Sequence, residues 1–276
     1  MASLQNPSLQ AAEFHYDTTN TTIPQTLWNL RVPVFITHKS CHGSPFIAAV
    51  PRLSYLAQLL PRLSAFFGVP CSSFHYEEVQ LRNLAVGLLV DLYQPSLPWR
   101  LEVGDGDEWD IGDTYLNCVK EADFVRNGNA KQIMSLSKEN TTALWNSVQN
   151  NDYASFAKIN AQLLNPPTPL KHVPLRIYIP SSPTGEAGGG GVKGMPGDFK
   201  VMQSLVPPRL PNRAIPQKLG PALQALLPSL FPSSRDPVLA NVVLHGSPVP
   251  FSAPLEELMR EAAYPDGWLC LIIVLL

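Results

Sequence analysis

The sequence predicts an α+β protein in which two small modules of mixed β-sheet and helix flank a helix-rich middle segment. Three observations carry this reading. The order strand, strand, helix, strand, optional helix, strand occurs twice along the chain. The stretch between the two occurrences, about Asp113 to Leu164, contains no proline and has apolar residues at helical offsets. Elsewhere proline is abundant, 28 in 276 residues against a usual share of about 5%, which leaves little room for long helices.

The first module begins after a polar tail, residues 1–22, with a short helix at Pro24 to Leu30 and a β-rich run at Val32 to His38. Cys41 to Pro45 offers turn residues and Phe46 to Val50 a second strand. From Arg52 to Phe67, Leu53, Leu56, Leu60, Leu63 and Phe67 recur at helical spacing, with Pro61 expected to kink or split the helix. Phe74 to Leu81 alternates loosely, Leu84 to Tyr93 reads as a short buried helix, and Leu97 to Val103 alternates as a strand.

The helix-rich segment ends at Asn165-Pro166-Pro167-Thr168-Pro169, because proline cannot continue a helix and pushes its predecessor toward extended geometry. The second module then places strands at His172 to Ile179 and Phe199 to Val206 around the Gly-rich loop Gly185 to Gly194. A helix at Leu219 to Leu227, a strand at Val242 to His245, a helix at Pro254 to Ala262 and a last strand at Trp268 to Val274 complete it. The run from Trp268 to Leu276 is far shorter than the roughly 20 apolar residues that span a bilayer, so it reads as a buried strand.

The modules share local signatures: Val32-Pro33-Val34 against Val173-Pro174-Leu175, and Pro98-Trp99-Arg100-Leu101 against Pro265-Asp266-Gly267-Trp268-Leu269. Their offsets, about 140 and 170 residues, describe a diverged duplication rather than a fixed-period repeat. A small mixed sheet packed on one main helix is the ubiquitin-like, or β-grasp, plan. The expected division is a tail at 1–22, a first ubiquitin-like domain at 23–104, a helix-rich domain at 105–169 and a second ubiquitin-like domain at 170–276.

Composition narrows function. With 45% hydrophobic residues the chain buries a core, and a formal charge of −2 supplies no field to hold nucleic acid. Cys41, Cys71, Cys118 and Cys270 are scattered without a metal-binding spacing and read as reduced, mostly buried thiols. The N-terminus has neither the basic nor the apolar region of a signal peptide, so a cytosolic protein is expected and the sequons at Asn20 and Asn140 carry no weight.

Catalytic and cofactor motifs fail on context. Gly189, Gly191 and Gly194 satisfy GxGxxG, but Met195-Pro196-Gly197 follows where a helix is required, so a hairpin loop is the reading and no cofactor is expected. The acidic run from Asp105 to Asp110 has the wrong register for a calcium loop. The recurrent His42-Gly43-Ser44-Pro45 and His245-Gly246-Ser247-Pro248 contain the residues that tight turns require. Between Lys193 and Lys218 five basic residues meet one acid, but a proline-broken soluble loop is the simpler reading than a lipid contact.

One lysine is placed by geometry. If Thr114 to Arg126 is helical, then Tyr115, Cys118, Val119, Ala122 and Val125 form an apolar face. Lys120 points away from it, and Phe124, one turn on, lies on the same exposed side. Pattern alone leaves Lys120 an ordinary solvating lysine.

Several strings together resemble the autophagy protein 5 family: Pro51-Arg52-Leu53-Ser54-Tyr55-Leu56, Gly87-Leu88-Leu89-Val90-Asp91-Leu92, Asn117-Cys118-Val119-Lys120-Glu121-Ala122-Asp123, Val173-Pro174-Leu175-Arg176-Ile177-Tyr178, and His245-Gly246 with Tyr264-Pro265-Asp266. They occur in the family's order from about Trp28 onward. The resemblance implies two ubiquitin-like domains around a helical one and a non-enzymatic scaffold. It implies that Lys120 accepts the C-terminal glycine of autophagy protein 12 in an isopeptide bond, made by dedicated activating and conjugating enzymes. It further implies binding to the N-terminal helix of autophagy protein 16, promotion of autophagy protein 8 lipidation on phosphatidylethanolamine, and peripheral membrane contact at the preautophagosomal structure. Phe124 is expected at the docking surface of the attached protein. The other readings are a tandem ubiquitin-like adaptor that is never conjugated and, last, a hydrolase that no motif announces.

Overall fold

Each strand-helix set closes into a five-stranded sheet. The structure, a computed structural model, describes residues 21–106, 110–180, 199–210 and 215–276. The N-terminal tail up to residue 20, the GxGxxG loop and Asp107 to Trp109 of the acidic run lie outside the described residues.

Thr22 caps α1 (Ile23–Asn29) by accepting from the Gln25 N–H, and Pro24 occupies the first turn, where its missing N–H leaves no bond unmade. The first module continues through β1 (Arg31–His38), β2 (Cys41–Pro51), a 3-10 turn at Leu56–Leu59, α2 (Leu60–Phe67), β3 (Ser73–Tyr76), β4 (Val79–Gln80), α3 (Val86–Tyr93) and β5 (Trp99–Gly104). Pro61 sits in the first turn of α2, so the helical stretch divides at the proline. Four helices follow: α4 (Ile111–Asn127), α5 (Lys131–Met134), α6 (Lys138–Gln149) and α7 (Tyr153–Leu164). The second module comprises β6 (Val173–Pro180), β7 (Phe199–Val206), α8 (Leu219–Leu226), β8 (Ala240–Leu244), β9 (Ser247–Pro248), α9 (Leu255–Ala262) and β10 (Leu269–Leu275).

The strand orders are β2-β1-β5-β3-β4 and β7-β6-β10-β8-β9. In each sheet the first and last strands of the module, β1 with β5 and β6 with β10, pair in parallel at the centre, and their neighbours are antiparallel. Two copies of one topology agree with the duplication read from the sequence, and with two ubiquitin-like domains flanking a helical bundle.

Two sequence expectations are corrected. Cys41 to Pro45 is not the turn between the first two strands; the turn falls at Lys39 and Ser40, where the Ser40 N–H donates to His38 Nδ1 at 3.1 Å. The Gly-Ser-Pro residues instead form an irregularity inside β2, between the pairs Ile36↔Phe46 and His38↔Cys41, and a bulge accepts Gly and Pro as readily as a turn does. The second correction concerns the paired tryptophans. In register, Val34 faces Trp99 while Leu175 faces Leu269, so the counterpart of Trp99 is Leu269 and Trp268 is shifted by one residue. A one-residue shift sends a side chain to the other face of a sheet.

The consequence is visible in the cores. Trp99 belongs to a core confined to the first module, with Val34, Ile36, Leu63, Val86, Leu89 and Leu101. Trp268 belongs to a larger core that joins the second sheet, the helical bundle and part of the first module: Tyr115, Val119, Leu144, Phe156, Leu175, Trp28 and Leu53 are all members.

Candidate functional site

The segment that carries Lys120 is fixed before its chemistry is considered. Asp110 caps α4 by accepting from the Asp113 N–H at 3.0 Å, Asp113 and Arg126 complement the dipole at its two ends, and Gly128 terminates it at φ +72°. Tyr115, Val119 and Ala122 are buried, and Cys118 and Val125 are half-buried, so the apolar face of the helical wheel is the inner face.

That face is clamped by the second ubiquitin-like domain. Tyr115 donates through its hydroxyl to the Pro265 carbonyl at 3.0 Å, and Trp268 Nε1 donates to the Cys118 carbonyl at 3.1 Å. Arg176 of β6 stacks its guanidinium over the Trp268 ring at 3.9 Å, donates to Cys118 Sγ at 3.7 Å and pairs with Glu121 at 2.8 Å. Asp266 lies buried beneath; burial raises its pKa and the Arg176 cation opposes the rise. Burial likewise pushes up the thiols of Cys118 and Cys270, which suits packed rather than reactive cysteines. Gly267, at φ +84°, brings the 264–268 turn close to α4: a Cβ there would lie 3.2 Å from the Ala122 Cβ.

Lys120 and Phe124 occupy the outer face as the wheel predicted. Lys120 is exposed and its Nζ reaches only Asn117 Oδ1, at 3.5 Å; no ion pair holds it among the described residues, because Glu121 is engaged by Arg176. Phe124 is 59% exposed. An amine in this setting can be approached from solvent without moving the helix.

The sequence reading missed two sets of buried polar residues. Asp123 is fully buried and accepts from Asn127 Nδ2 at 2.7 Å and from the Ile133 N–H at 3.0 Å, which pins α5 to α4. Arg126 is buried beside it. The signal was available: Arg126 follows Tyr115, Val119 and Ala122 at helical spacing, a charge on an apolar stripe. The second set joins the two ubiquitin-like domains. Arg52 pairs with Asp91 of α3 and donates to the Gly87 carbonyl at 3.2 Å, while Asp91 accepts from the Gly246 N–H at 3.0 Å. His245 and Gly246 therefore serve a turn, with positive φ at both residues, and His245 Nε2 bonds the Ala262 carbonyl at 2.9 Å.

Among the described residues no three His, Cys, Asp or Glu side chains cluster to hold a metal, and no helix is long and apolar enough to cross a membrane. The expected basic segment is divided: Lys193 and Arg213 lie outside the described residues, and Arg209 approaches Glu256 at 3.7 Å.

Two ubiquitin-like sheets enclosing a helical bundle, with the bundle's first helix fixed against one sheet, define a class of multidomain ubiquitin-fold proteins. Family models place this chain more closely. Residues 27–104 match the UblA domain of autophagy protein ATG5, 109–166 its alpha-helical bundle region and 172–273 its UblB domain. Autophagy protein 5 of Chaetomium globosum is 72% identical over 93% of this chain and 90% of its own length, and autophagy-related protein 5 of Neurospora crassa is 68% identical over 92% of this chain and 72% of its own. The crystal structure of Kluyveromyces marxianus Atg5 superposes with a TM-score of 0.70 at 20% identity, covering 91% of this chain and 99% of that one, a likeness of fold. The chain belongs to the autophagy protein 5 family, and its role lies in autophagy, through protein-protein partnering.

Proposed function

We propose that this chain is a non-catalytic scaffold conjugated through Lys120 to the ubiquitin-like autophagy protein 12 and bound to autophagy protein 16, and that the conjugate promotes lipidation of autophagy protein 8 on phosphatidylethanolamine at the preautophagosomal membrane. The observation that carries the reading is Lys120 itself: exposed, free of an ion pair among the described residues, and mounted on a helix clamped by Trp268 and Arg176. An acceptor that keeps one position is what a conjugating enzyme must find.

In the proposed step the neutral Lys120 amine attacks the thioester carbonyl of the terminal glycine carried on the conjugating enzyme. A carbon–nitrogen bond forms, the carbon–sulfur bond breaks, and the enzyme's thiol leaves as the amine gives up its proton. Activation and transfer belong to the partner enzymes; this chain contributes the nucleophile and its placement. The domain limits 23–104, 105–169 and 170–276, and a peripheral rather than embedded membrane contact from the cytoplasm, are parts of the same proposal.

Lys120→Arg tests it. Arginine preserves charge and exposure but does not form this bond, so the variant should fold normally and carry no adduct in starved cells. An adduct that persists on Lys120→Arg sinks the site assignment. A wild-type chain with no adduct on any lysine points to the unconjugated tandem adaptor instead.

A further inference from the structure

The connection from α7 to β6, residues 165–172, is neither helix nor strand. Its ends are tied: the Asn165 N–H donates to the Ala161 carbonyl at 3.2 Å and the Lys171 N–H to the Arg126 carbonyl at 2.7 Å. Between them Pro166, Pro167, Thr168, Pro169 and Leu170 make no backbone hydrogen bond to any described residue. Three of these five have no N–H to offer, so the segment can be drawn from the surface without breaking a backbone bond. Thr168 is exposed at its middle.

A serine or threonine precedes proline at Ser44, Thr168, Ser182 and Ser247. Ser44 lies inside β2, Ser247 is held in β9 by its pairing with Leu244, and Ser182 lies outside the described residues. Among the described residues, Thr168 is thus the one of this set that no strand holds. The following Pro169 biases Thr168 toward extended backbone and presents no N–H, so a cleft that receives it needs an apolar slot and no acceptor. Thr168 also meets positive charge: it lines a cavity of about 320 Å³ together with Arg209, Glu256 and Arg260. One carboxylate there serves two guanidinium groups. Glu256 Oε1 accepts from Arg260 Nη2 at 3.1 Å, and Glu256 Oε2 lies 3.7 Å from Arg209 Nη2. Arg260 Nη1 donates to the Leu164 carbonyl at 3.3 Å and to Asn165 Oδ1 at 3.2 Å, which holds it at the root of the connection.

We propose that Thr168 is a phosphoacceptor for a proline-directed protein kinase, and that the phosphate it takes closes onto Arg209 and Arg260 of the second ubiquitin-like domain. In the transfer, Thr168 Oγ1 bonds to the γ-phosphorus of ATP and the bond from that phosphorus to the β–γ bridging oxygen breaks. ADP leaves, and the hydroxyl proton passes to the kinase's carboxylate. The product carries about −1.5 to −2 charges and three acceptor oxygens, which two guanidinium groups sharing one carboxylate can take up. Phosphorylation thereby fastens the link between the helical bundle and the second domain to α9 and to the segment that follows β7. This site does not depend on Lys120 being an acceptor.

The test incubates the full folded chain, carrying Ser182→Ala, with a purified proline-directed serine/threonine kinase and ATP, and maps phosphate by mass spectrometry over time. Thr168 should be labelled at least about tenfold faster than Ser44 and Ser247, because the strand-held serines must first open locally. Thr168→Val should abolish that label and Thr168→Ser restore it. Pro169→Ala should lose the label with an unchanged thermal midpoint, since the loop makes no backbone bond there. Labelling of Thr168 no faster than of the strand serines, or full labelling of Pro169→Ala, overturns the acceptor. The arginine clasp is read by phosphorus NMR: the second ionisation of the phosphothreonine should fall at lower pH in the folded chain than in the same chain unfolded in urea. Arg209→Gln, at a side chain 55% exposed, should shrink that difference without unfolding the chain, and Arg209→Gln with Arg260→Gln should remove it. Ionisation at the same pH in folded and unfolded chains, or a difference untouched by Arg209→Gln, overturns the clasp.

Discussion

The two ubiquitin-like domains have one topology and different second faces. In β5, Trp99, Leu101 and Val103 are buried while Arg100 is exposed and Glu102 half-exposed; the sheet is covered on one side, and Arg100 rests over Phe35 at 4.8 Å on the other. In β10, every residue from Leu269 to Ile273 is buried, inside a core that also takes in Leu219 and Leu223 of α8 and Tyr115 and Val119 of α4. A strand buried on both sides must be apolar throughout, and one buried on one side alternates. The shift between Trp99 and Trp268 is the same difference in a single residue: Trp99 fills its own module, and Trp268 reaches out to the helix that carries Lys120. The helix that carries Lys120 is thus built into the core of the second domain, whereas the first is held by α1, a few apolar residues and the Arg52–Asp91–Gly246 tie.

Removing each tryptophan in turn should separate the two domains most strongly. Trp268→Ala should cost roughly 3–5 kcal/mol, the range for deleting a buried aromatic, and should strip hydrogen-exchange protection from α4 together with β10. Trp99→Ala should cost a similar amount in the first domain while α4 amides stay protected. If Trp99→Ala exposes α4 as fully as Trp268→Ala does, the helix is not part of the second domain's core.

Next in size is the tie between the domains. Arg52→Ala strands Asp91 at a buried position and should cost about 3 kcal/mol. Arg52→Met with Asp91→Leu should recover much of that loss, because it removes both charges rather than one. Gly87→Ala should act like Arg52→Ala, since a Cβ at 87 would lie 2.4 Å from the Arg52 Cγ. Scattering from each single variant should report a larger radius of gyration if the tie holds the first domain in place; unchanged dimensions and stability would reduce it to a decoration.

Acid probes the same contact more gently. Burial, and the nearby Arg52 cation, lower His245 from about 6.5 to about 4. A base with a depressed folded pKa is neutral in both states above pH 6.5 and contributes no pH dependence there. As pH falls from 6.5 toward 4 the unfolded chain takes up a proton that the folded chain refuses, so stability is lost across that window and levels off below it. The loss is at most ~3 kcal/mol, reduced by the partial exposure of the ring. Denaturant midpoints against pH should carry this slope, and His245→Asn, which tolerates the positive φ at 245, should flatten it.

Much of this architecture was legible because it follows from burial. Alternation from Trp99 to Val103 and the unbroken apolar run from Leu269 announce the one-sided and two-sided strands, and the helical wheel places Lys120 and Phe124 outward without any knowledge of the neighbours. What was not legible depends on contacts between distant segments. The strand register that separates Trp268 from Trp99 is set by pairing with Leu175, not by local pattern. Arg52, Asp91 and Gly246 meet across two domains, and nothing within a helix-length window marks them as partners. Cys41 to Pro45 misled because turns and bulges ask for the same residues.

The smallest expected effect on stability falls at Phe124, on the face of α4 that neither sheet covers. Phe124→Ala removes a ring that is 59% exposed and replaces it with a better helix former, so the thermal midpoint should hold or rise slightly, within about 0.5 kcal/mol. The same substitution should lower the yield of the proposed Lys120 conjugate or weaken the contact with the protein proposed to be attached, because an exposed aromatic one turn from the proposed acceptor is the largest apolar group a docking surface finds there. If Lys120 is conjugated as proposed, Trp268→Ala should reduce conjugation by loosening the helix and Phe124→Ala should do so with the helix intact. Purified components separate the two: a slow Phe124→Ala reaction with native hydrogen exchange in α4 marks a contact surface, and a native rate removes Phe124 from it.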